Sequence, residues 1–229
     1  MKYHNINEGI FIERPNRFTA ICEINGEKTT VHVKNTGRCR ELLTPNAKVF
    51  LEKSNSPQRK TAYSLVAVMK NNRLINMDSQ APNKAVYEGI KSGKINLGLG
   101  KITFIKAETK YKNSRFDFYA ETEKDKIFIE VKGVTLEKNN IALFPDAPTE
   151  RGVKHINELV EAVSEGYKGV VIFVIQMNDI RFFTPNKETH PQFATALSES
   201  ETKGVKILAY DCNIVKDGID IANPTDVVL

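Results

Sequence analysis

Apolar and polar residues alternate along two neighbouring segments in the middle of the chain, 114–120 and 127–132. Successive residues of a strand face opposite sides of a sheet, so this period of two predicts two β-strands. The polar stretch 121–126 between them predicts the turn of a β-hairpin. The apolar positions predicted to share one face of the first strand are Phe116, Phe118 and Ala120.

Short alternating segments also fill the first third of the chain. Turn signals separate them, and the clearest is the pair Asn25-Gly26, a typical two-residue hairpin loop. Residues 38–43 can form one short helical turn, and 14–16 reads as a turn around a proline. Short strands with one small helix favour an OB-like barrel, a fold that binds oligonucleotides on one face and its loops. The strands are predicted at 9–14, 17–24, 28–34, 47–53, 61–70 and 73–78.

The pattern changes after the polar segment 77–82, which ends in a proline and predicts a link between domains 1–82 and 83–229. In the second domain, residues 169–178 form a continuous β-branched run, as expected for a central strand buried on both faces. A crossover helix should lead from the hairpin to this strand and place the two parallel. The fold class predicted is therefore α/β (α+β), with a mixed central sheet. Helices are predicted at 83–91, 149–165 and 188–201, further strands at 102–110 and 205–211, and a loop at 139–148.

The chain of 229 residues is 41% hydrophobic, which is ordinary for a protein with a packed core. Its net charge of +5 is unevenly placed, because residues 1–82 hold 13 Lys and Arg against 7 Asp and Glu. A basic first domain is expected where that domain grips a polyanion such as DNA. The alternative is that the excess of lysine and arginine serves solubility alone.

No membrane span is predicted, because no apolar run approaches the roughly 20 residues that a bilayer requires. No signal peptide is predicted either, because the first ten residues, MKYHNINEGI, contain no apolar h-region. The three cysteines, Cys22, Cys39 and Cys212, lie far apart and form no C-x-x-C pair. They support neither a zinc site nor a disulfide framework, and we expect a reduced, cytoplasmic protein.

Three charged residues of the hairpin carry candidate chemistry. Glu130 and Lys132 share one face of the second strand, and the turn can bring Asp117 alongside them. Two carboxylates can hold a hard divalent cation, typically Mg²⁺, and a lysine beside them can orient a water or offset phosphate charge. The alternative is the solvated face of an amphipathic hairpin, since this spacing taken alone is a weak signal.

Two loops of the first domain are rich in arginine. The first holds Arg14 and Arg17 around a proline, and the second holds Arg38 and Arg40 beside Gly37. A glycine permits close backbone approach, and arginines pair with phosphates through charged hydrogen bonds. These loops are candidates for nucleic-acid contact. The alternative is that they are ordinary surface turns, which show the same sequence pattern.

Five segments across both domains are distinctive in combination: RPNRF at 14–18, HVKNTGRCREL at 32–42, SRFDF at 114–118, IEVKGVTL at 129–136 and FPDAPTERGVKH at 144–155. Together they resemble the sugar fermentation stimulation protein A family. The second domain also resembles the PD-(D/E)XK, or restriction-endonuclease-like, core, which keeps its motif in such a hairpin. One departure is that the usual proline before Asp117 is absent. The resemblance implies an OB-like first domain, a nuclease-like second domain, DNA binding and a regulatory link to sugar, notably maltose, metabolism in bacteria.

The resemblance implies roles for individual residues of this chain. Asp117 and Glu130 would be metal ligands and Lys132 the catalytic lysine. Glu88 on the first predicted helix is a candidate third ligand, and its alternative is a solvent-facing helix position.

Basic residues near the start of the long helix are further candidates. Arg151 and Lys154 would contact nucleic acid, because a helix N-terminus with basic side chains suits a phosphate. His155 could share that face. The alternative is an ordinary surface pair four residues apart, either Lys154 with Glu158 or Arg151 with His155.

Two functions follow from these residues. The first is a DNA-binding protein with a Mg²⁺- or Mn²⁺-dependent nuclease site, for which RNA is also an acceptable substrate. The second is a non-enzymatic DNA-binding transcriptional regulator that uses an inactive nuclease fold. A pure binder has no need of paired acids, which repel phosphate, so an intact Asp117, Glu130 and Lys132 set favours the first.

Overall fold

The computed structural model describes residues 1–35 and 37–229 of the chain; Thr36, inside the predicted arginine loop 35–40, lies outside the described residues. The N-terminal elements are β1 Ile6–Asn16, β2 Thr19–Ile24, β3 Glu27–Val33, β4 Lys48–Lys53, β5 Tyr63–Lys70 and β6 Arg73–Asn76. The C-terminal elements are α1 Ala81–Ser92, β7 Phe104–Tyr111, β8 Ser114–Glu121, β9 Lys126–Val134, β10 Leu136–Lys138, β11 Ile141–Phe144, α2 Glu150–Ser164, β12 Lys168–Ile175, β13 Phe182–Pro185, α3 Pro191–Thr202, β14 Lys206–Val215 and β15 Gly218–Thr225.

The first five strands form a closed barrel, which confirms the predicted OB-like domain. They run in the order β3-β2-β1-β4-β5, and a short parallel pairing of β3 with β5 joins the two ends. Alternate residues of each strand, such as Val31, Val49 and Leu65, point inward and are fully buried. The predicted helical turn is present as well, because the Leu43 N–H donates to the Cys39 carbonyl, four residues earlier.

The first hairpin turn lies further along the chain than predicted. Strand β1 continues through Pro15 to Asn16, and the turn falls on Arg17 and Phe18 instead of 14–16. Pro15 is tolerated because the register between β1 and β2 is irregular between Glu13 and Asn16. A proline lacks the N–H that a regular ladder would need, so a bulge can accommodate it.

The C-terminal domain is built on a mixed sheet of order β15-β14-β12-β9-β8-β7. Strand β12 lies parallel to both β9 and β14, and its residues from Gly169 to Ile175 are buried. This confirms the predicted central strand and the parallel crossover through the long helix. Helices α2 and α3 cover one face of the sheet, where Ile156 and Phe193 pack with Phe173, and α1 covers the other.

Three parts of the C-terminal prediction are wrong or incomplete. The predicted loop 139–148 contains β11, which pairs with β10 and with β13 in a separate three-stranded sheet. Strands of three or four residues are too short for a period of two to reveal. Strand β15, an edge strand that pairs with β14, was also not predicted. Helix α1 begins at Ala81 and carries Pro82 in its first turn, where a missing N–H costs nothing.

The two domains share a buried polar interface. The Gln176 side chain, after β12, donates to Asn76 Oδ1 at 2.9 Å and to the Asp78 carbonyl at 3.1 Å. The Asn76 amide group in turn donates to the Tyr3 hydroxyl at 2.8 Å. Since these side chains are almost fully buried, their mutual hydrogen bonds fix how the barrel sits against the sheet. Among the described residues, no helix is long and apolar enough to cross a membrane.

Candidate metal and nucleic-acid site

Glu130 and Lys132 lie on one face of β9, as their spacing predicts. Lys132 Nζ is 2.5 Å from Glu130 Oε1, and the glutamate is only 3% exposed. Both residues lie opposite residues of the central strand β12, Glu130 opposite Val171 and Lys132 opposite Phe173, and just beyond the point where the pairing of β9 with β8 ends. A buried carboxylate of this kind needs charged or hydrogen-bonding partners to remain ionised.

His155 supplies the second partner of Glu130. Its Nδ1 lies 2.5 Å from Glu130 Oε1, and the imidazole is itself buried in the first half of α2. Arg151, one turn earlier, donates from Nε to His155 Nε2 at 3.3 Å. Because Nε2 accepts this bond, Nδ1 carries the hydrogen that faces the carboxylate. The Arg151–His155 pair suggested by the sequence therefore exists, but it lies in the site rather than on the surface.

The two carboxylate oxygens of Glu130 differ in their hydrogen-bond partners. Oε1 receives both Lys132 and His155, whereas Oε2 is buried and has no hydrogen-bond partner among the described residues. Burial by itself raises the pKa of Glu130, but the hydrogen bond from His155 and the charge of Lys132 outweigh it and lower the pKa below its ordinary value. Glu130 is thus an ionised carboxylate with one oxygen unused.

Asp117 reaches the same region from β8. Its Oδ2 accepts from the Val131 backbone N–H at 2.8 Å, and its Oδ1 accepts from Asn83 Nδ2 on α1 at 2.7 Å. The regular pairing of β8 with β9 ends at Phe118, so the carboxylate occupies the place where the ladder stops. The prediction that the hairpin brings Asp117 alongside the second strand agrees with this contact.

The alternation of β8 breaks at Asp117, which corrects the predicted single apolar face. Phe116 packs in the core beneath α2, whereas Phe118 and Ala120 pack on the α1 side of the sheet. Opposite Asp117 on β7, Glu108 has a left-handed backbone with φ of 52°. A non-glycine residue in this conformation marks a local distortion of the strand. The distortion turns Asp117 toward the strand end instead of toward regular cross-strand neighbours.

The pKa of Asp117 is affected by repulsion from the Glu130 carboxylate. Burial raises the pKa of Asp117, and the negative charge of Glu130 raises it further, against the hydrogen bonds from Val131 and Asn83. The two environments therefore shift the pKa values of the two acids in opposite directions: Glu130 stays ionised, and Asp117 binds a proton more readily than an ordinary aspartate does. A cation near both groups would remove the repulsion that raises the pKa of Asp117.

The oxygen ligands that this site offers meet the needs of a hard divalent cation only in part. Glu130 Oε2 is an unused carboxylate oxygen, and Asp117 adds a second oxygen group with a charge that needs compensation. Yet within residues 1–35 and 37–229 no three His, Cys, Asp or Glu side chains cluster as a metal site would require. Mg²⁺ usually retains several waters and takes one or two protein carboxylates, so a two-carboxylate site suits it.

Glu88, the candidate third ligand, lies nearby but is engaged elsewhere. It lines a cleft of about 710 Å³ between α1 and β7–β8, and Asp117 and Asn83 line the same cleft. Its carboxylate is 2.5 Å from the Met1 amino group and is about half exposed. This geometry favours the alternative of a solvent-facing helix residue for Glu88.

Arg14 has a structural position that the sequence did not indicate. Its guanidinium donates to four backbone carbonyls, those of Arg17, Asn35, Gly37 and Arg38, at 2.6 to 2.8 Å. All four N–H groups of its terminal nitrogens are thereby used. Arg14 joins the two arginine loops to each other and has little left to offer a phosphate, in contrast to its predicted role.

The other three loop arginines face solvent. Arg17, Arg38 and Arg40 are exposed and line a cleft of about 410 Å³. Among the described residues, arginine–carboxylate pairs are formed by Arg73 and Arg115, and none by these three. The cleft therefore presents three arginines without an ion pair, which suits a polyanion, while the carboxylate of Asp146 lies against its lining residue Gly37.

A second basic cleft lies beside the carboxylates. It measures about 480 Å³, and Arg151, Lys154 and His155 line it together with Lys110 and Arg115. The structure thus brings the predicted helix-start residues to the acid pair through His155. It does not bring the barrel arginines into direct contact with that pair. Lys154 also lies 3.7 Å from Glu158, a weak surface pair of the kind expected from their spacing.

Sequence reasoning left two supporting residues without a role. His155 was weighed only as a phosphate contact or a surface pair, and Asn83 was not considered. A periodic pattern did place His155 on α2, but its contact with Glu130 depends on how that helix packs across β9. Tertiary contacts of this kind leave no signal in residue spacing.

A closed OB barrel followed by a mixed α/β domain with a carboxylate-and-lysine hairpin defines the class of this protein. Two family models match the chain in that order, the "SfsA N-terminal OB domain" over residues 12–77 and the "Sugar fermentation stimulation protein RE domain" over residues 80–218. The chain belongs to the sugar fermentation stimulation protein family.

Relatives of this chain match along its whole length. It is 58% identical to the sugar fermentation stimulation protein homolog of Ruminiclostridium cellulolyticum and 57% identical to that of Clostridium beijerinckii, with all of both chains covered in each case. Among solved structures, the chain is similar to Pyrococcus furiosus SfsA in complex with Ca²⁺. The TM-score is 0.91 at 26% identity, covering 100% of this chain and 98% of that one.

Proposed function

We propose that this protein is a divalent-metal-dependent phosphodiesterase that binds nucleic acid, with DNA as the first substrate to test and RNA as the second. The observation that carries the proposal is the unused, buried Oε2 of Glu130 beside an Asp117 whose pKa is raised. A carboxylate oxygen buried without a partner costs stability, so a native ligand for it is expected. The related Pyrococcus furiosus structure is described as a Ca²⁺ complex, so a member of the family at 26% identity is found with a divalent cation.

Asp117 and Glu130 would hold the cation, Mg²⁺ or Mn²⁺. When bound, such an ion supplies charge neutralisation at the phosphate and a more acidic bound water. His155 and Lys132 occupy Oε1 and so direct Oε2 toward the ion. Asn83 and the Val131 N–H fix the orientation of Asp117. Lys132 is the positive side chain beside Glu130 and would offset charge on the phosphate as the bond breaks.

The basic surfaces would supply binding. Arg17, Arg38 and Arg40 on the barrel and Arg151 and Lys154 on α2 present charges suited to phosphates. Binding through phosphates falls steeply with added salt, because each neutralised phosphate releases counterions. Replacement of Arg38 and Arg40 by alanine should weaken binding to all sequences alike, since phosphates carry no sequence information.

The test of the metal site is thermal stability with and without metal. Millimolar Mg²⁺ or Mn²⁺ should raise the melting temperature of the wild type, since a ligand bound only by the native state stabilises it by mass action. The rise should vanish in Asp117→Asn. It should persist in Asp125→Asn, a matched change in the turn of the same hairpin, where the carboxylate forms a long ion pair with Lys168 at 3.9 Å. A wild-type melting temperature indifferent to metal would refute the metal site.

Cleavage is tested separately with Lys132→Met, which keeps the length of the side chain without its charge. Metal should still stabilise this variant, because lysine is not a ligand, while hydrolysis of labelled DNA or RNA should be lost. Equal hydrolysis by wild type and variant would assign the activity to a contaminant or to another site.

A second candidate function is a non-enzymatic DNA-binding regulator. It is favoured by the two-carboxylate site, which lacks a third acidic ligand among the described residues, and by the link of the family name to sugar fermentation. Metal-dependent stabilisation without cleavage of any nucleic acid, together with salt-sensitive DNA binding, would support this function over the first.

A further inference from the structure

Phe18 presents an exposed aromatic ring on a rigid backbone. It occupies the two-residue turn between β1 and β2, and it is 54% exposed. Its backbone N–H donates to Asn16 Oδ1 at 2.8 Å, and its carbonyl accepts from the Val33 N–H at 2.8 Å. The same turn is held by Arg14, which donates to the Arg17 carbonyl. The ring is thus fixed in place although it packs into no core.

This ring stands at the edge of the positive cleft. The Arg17 guanidinium carbon lies 5.9 Å from the centre of the ring, and Arg17 also lines the cleft with Arg38 and Arg40. None of these three arginines pairs with a carboxylate among the described residues, as noted above. An exposed apolar ring beside unpaired cations matches a ligand that has both flat apolar faces and repeated negative charges. A nucleic-acid strand has both features.

The geometry favours an unpaired strand over a duplex. In a duplex both faces of each base are stacked on neighbouring bases, so a single protruding ring finds no free face. In a single strand, base faces are available, and an aromatic side chain stacks on any of them. The β1–β2 loop is also one of the loops by which OB barrels contact oligonucleotides. A ring that is already fixed loses little conformational freedom on binding.

We propose that Phe18 stacks on an unpaired base of a single-stranded nucleic acid whose phosphates lie on Arg17, Arg38 and Arg40. This inference rests on the proposed function in so far as the ligand is a nucleic acid, and it names the form that the barrel selects. It is independent of whether the hairpin acids cleave anything.

The sequence offers a direct spectroscopic test, because it contains no tryptophan. Phe18→Trp introduces a single tryptophan at the proposed contact, and excitation at the red edge of its absorption avoids the seven tyrosines. Phe104→Trp is the matched control, since Phe104 is 48% exposed and lies on edge strand β7 of the other domain. Titration in EDTA with oligo(dT), oligo(rU) and a blunt DNA duplex prevents any metal-dependent cleavage. We expect the two single strands to quench Phe18→Trp and not Phe104→Trp, and the duplex to quench neither.

Affinity measurements by fluorescence anisotropy of labelled oligonucleotides complete the test. Phe18→Ala should weaken single-strand binding by roughly tenfold to a hundredfold, whereas Phe18→Tyr should retain it. Phe18→Leu, which keeps an apolar side chain without a ring, should behave as Phe18→Ala does. The DNA and RNA arms distinguish which strand chemistry is preferred.

Two outcomes overturn the inference in different ways. Wild-type affinity of Phe18→Ala for the single strands, or equal quenching of Phe18→Trp by the duplex, removes the stacking role and leaves the proposed nucleic-acid function standing. Failure of any oligonucleotide to bind wild type at low salt overturns the inference together with the binding half of the proposed function. The metal-stability test of Asp117 is unaffected in both cases.

Discussion

Replacement of Arg14 should destabilise the barrel rather than merely remove a phosphate contact. The guanidinium gathers carbonyls from both arginine loops, at Arg17, Asn35, Gly37 and Arg38, and it is itself half-buried. Arg14→Ala leaves those four acceptors without their donor. Arg14→Lys keeps the charge, but an ammonium cannot reproduce the planar fork that reaches all four carbonyls.

The expected loss of folding stability in Arg14→Ala follows from the number of hydrogen bonds that the Arg14 side chain donates. A typical internal hydrogen bond contributes about 1 kcal/mol of net stability. Four bonds therefore predict a loss of roughly 4 kcal/mol for Arg14→Ala, somewhat less where water reaches the freed carbonyls. For a protein of this length, each kcal/mol lowers the melting temperature by about 2–4 °C, so the shift should be on the order of 10 °C. Arg14→Lys should recover less than half of it.

Differential scanning calorimetry and urea denaturation measure this loss, and Arg17→Ala is the control. Arg17 is the exposed neighbour whose backbone carbonyl, not its side chain, takes part in the network. We expect Arg17→Ala to melt close to wild type and to bind nucleic acid less tightly. If Arg14→Ala instead melts with the wild type while losing only nucleic-acid affinity, the reasoning is refuted, and the phosphate contact suggested by the sequence would be the better account.

Three further outcomes are expected. The raised folded-state pKa of Asp117 means that its charge costs stability once the pH exceeds the ordinary aspartate range. In denaturation of the metal-free protein, the stability of wild type relative to Asp117→Asn should therefore fall as the pH rises through that range, on top of a constant offset from the hydrogen bond that a single amide oxygen cannot accept. Hydrogen–deuterium exchange should be slowest at residues 170–175, since β12 has neighbours on both sides and no solvent face. Gln176→Leu should cost about 1–3 kcal/mol in urea denaturation, because buried Asn76 Oδ1 loses one of its two donors and the Asp78 carbonyl loses the Gln176 amide.

The regular part of the fold was accessible from the sequence because each signal was local. Alternation located the barrel strands, and the run at 169–178 showed that one strand has no exposed face. Asn25-Gly26 gave a turn, and both residues have positive φ in the structure. In each case neighbouring residues determine the conformation, so a pattern of a few residues was sufficient.

The remaining features depend on contacts between distant residues. Strands β10 and β13 are too short to carry a period, and they form because they pair with β11. The break of alternation at Asp117 arises where a ladder ends and a side chain takes over the Val131 N–H. Arg14 and Arg38 look alike in the sequence, yet one joins two loops and the other faces solvent. Residue type gave the candidates, and only packing separates their roles.

One short segment, residues 145–149, connects the barrel cleft with the cleft beside the carboxylates. Through this segment, nucleic-acid binding at the barrel could affect metal binding at the carboxylates. Residues 145–149 leave β11, pass Ala147, which lines the barrel cleft, and reach Thr149, which caps α2 by accepting from the Gly152 N–H. Asp146 in this segment lies so close to Gly37 that a Cβ there would be 2.8 Å from its carboxylate oxygen.

Helix α2, which starts from this segment, delivers His155 to Glu130. A strand bound across the barrel loops would therefore contact the residues that set the position of α2. Gly37→Ala tests the coupling, because the added methyl would meet Asp146 Oδ2 at 2.8 Å and Asn35 Oδ1 at 2.9 Å. If the shift of Asp146 is passed on to α2, the metal-induced rise in melting temperature should shrink although no residue of the carboxylate site has changed. An unchanged metal response in a folded Gly37→Ala variant would show that the barrel and the carboxylates act independently.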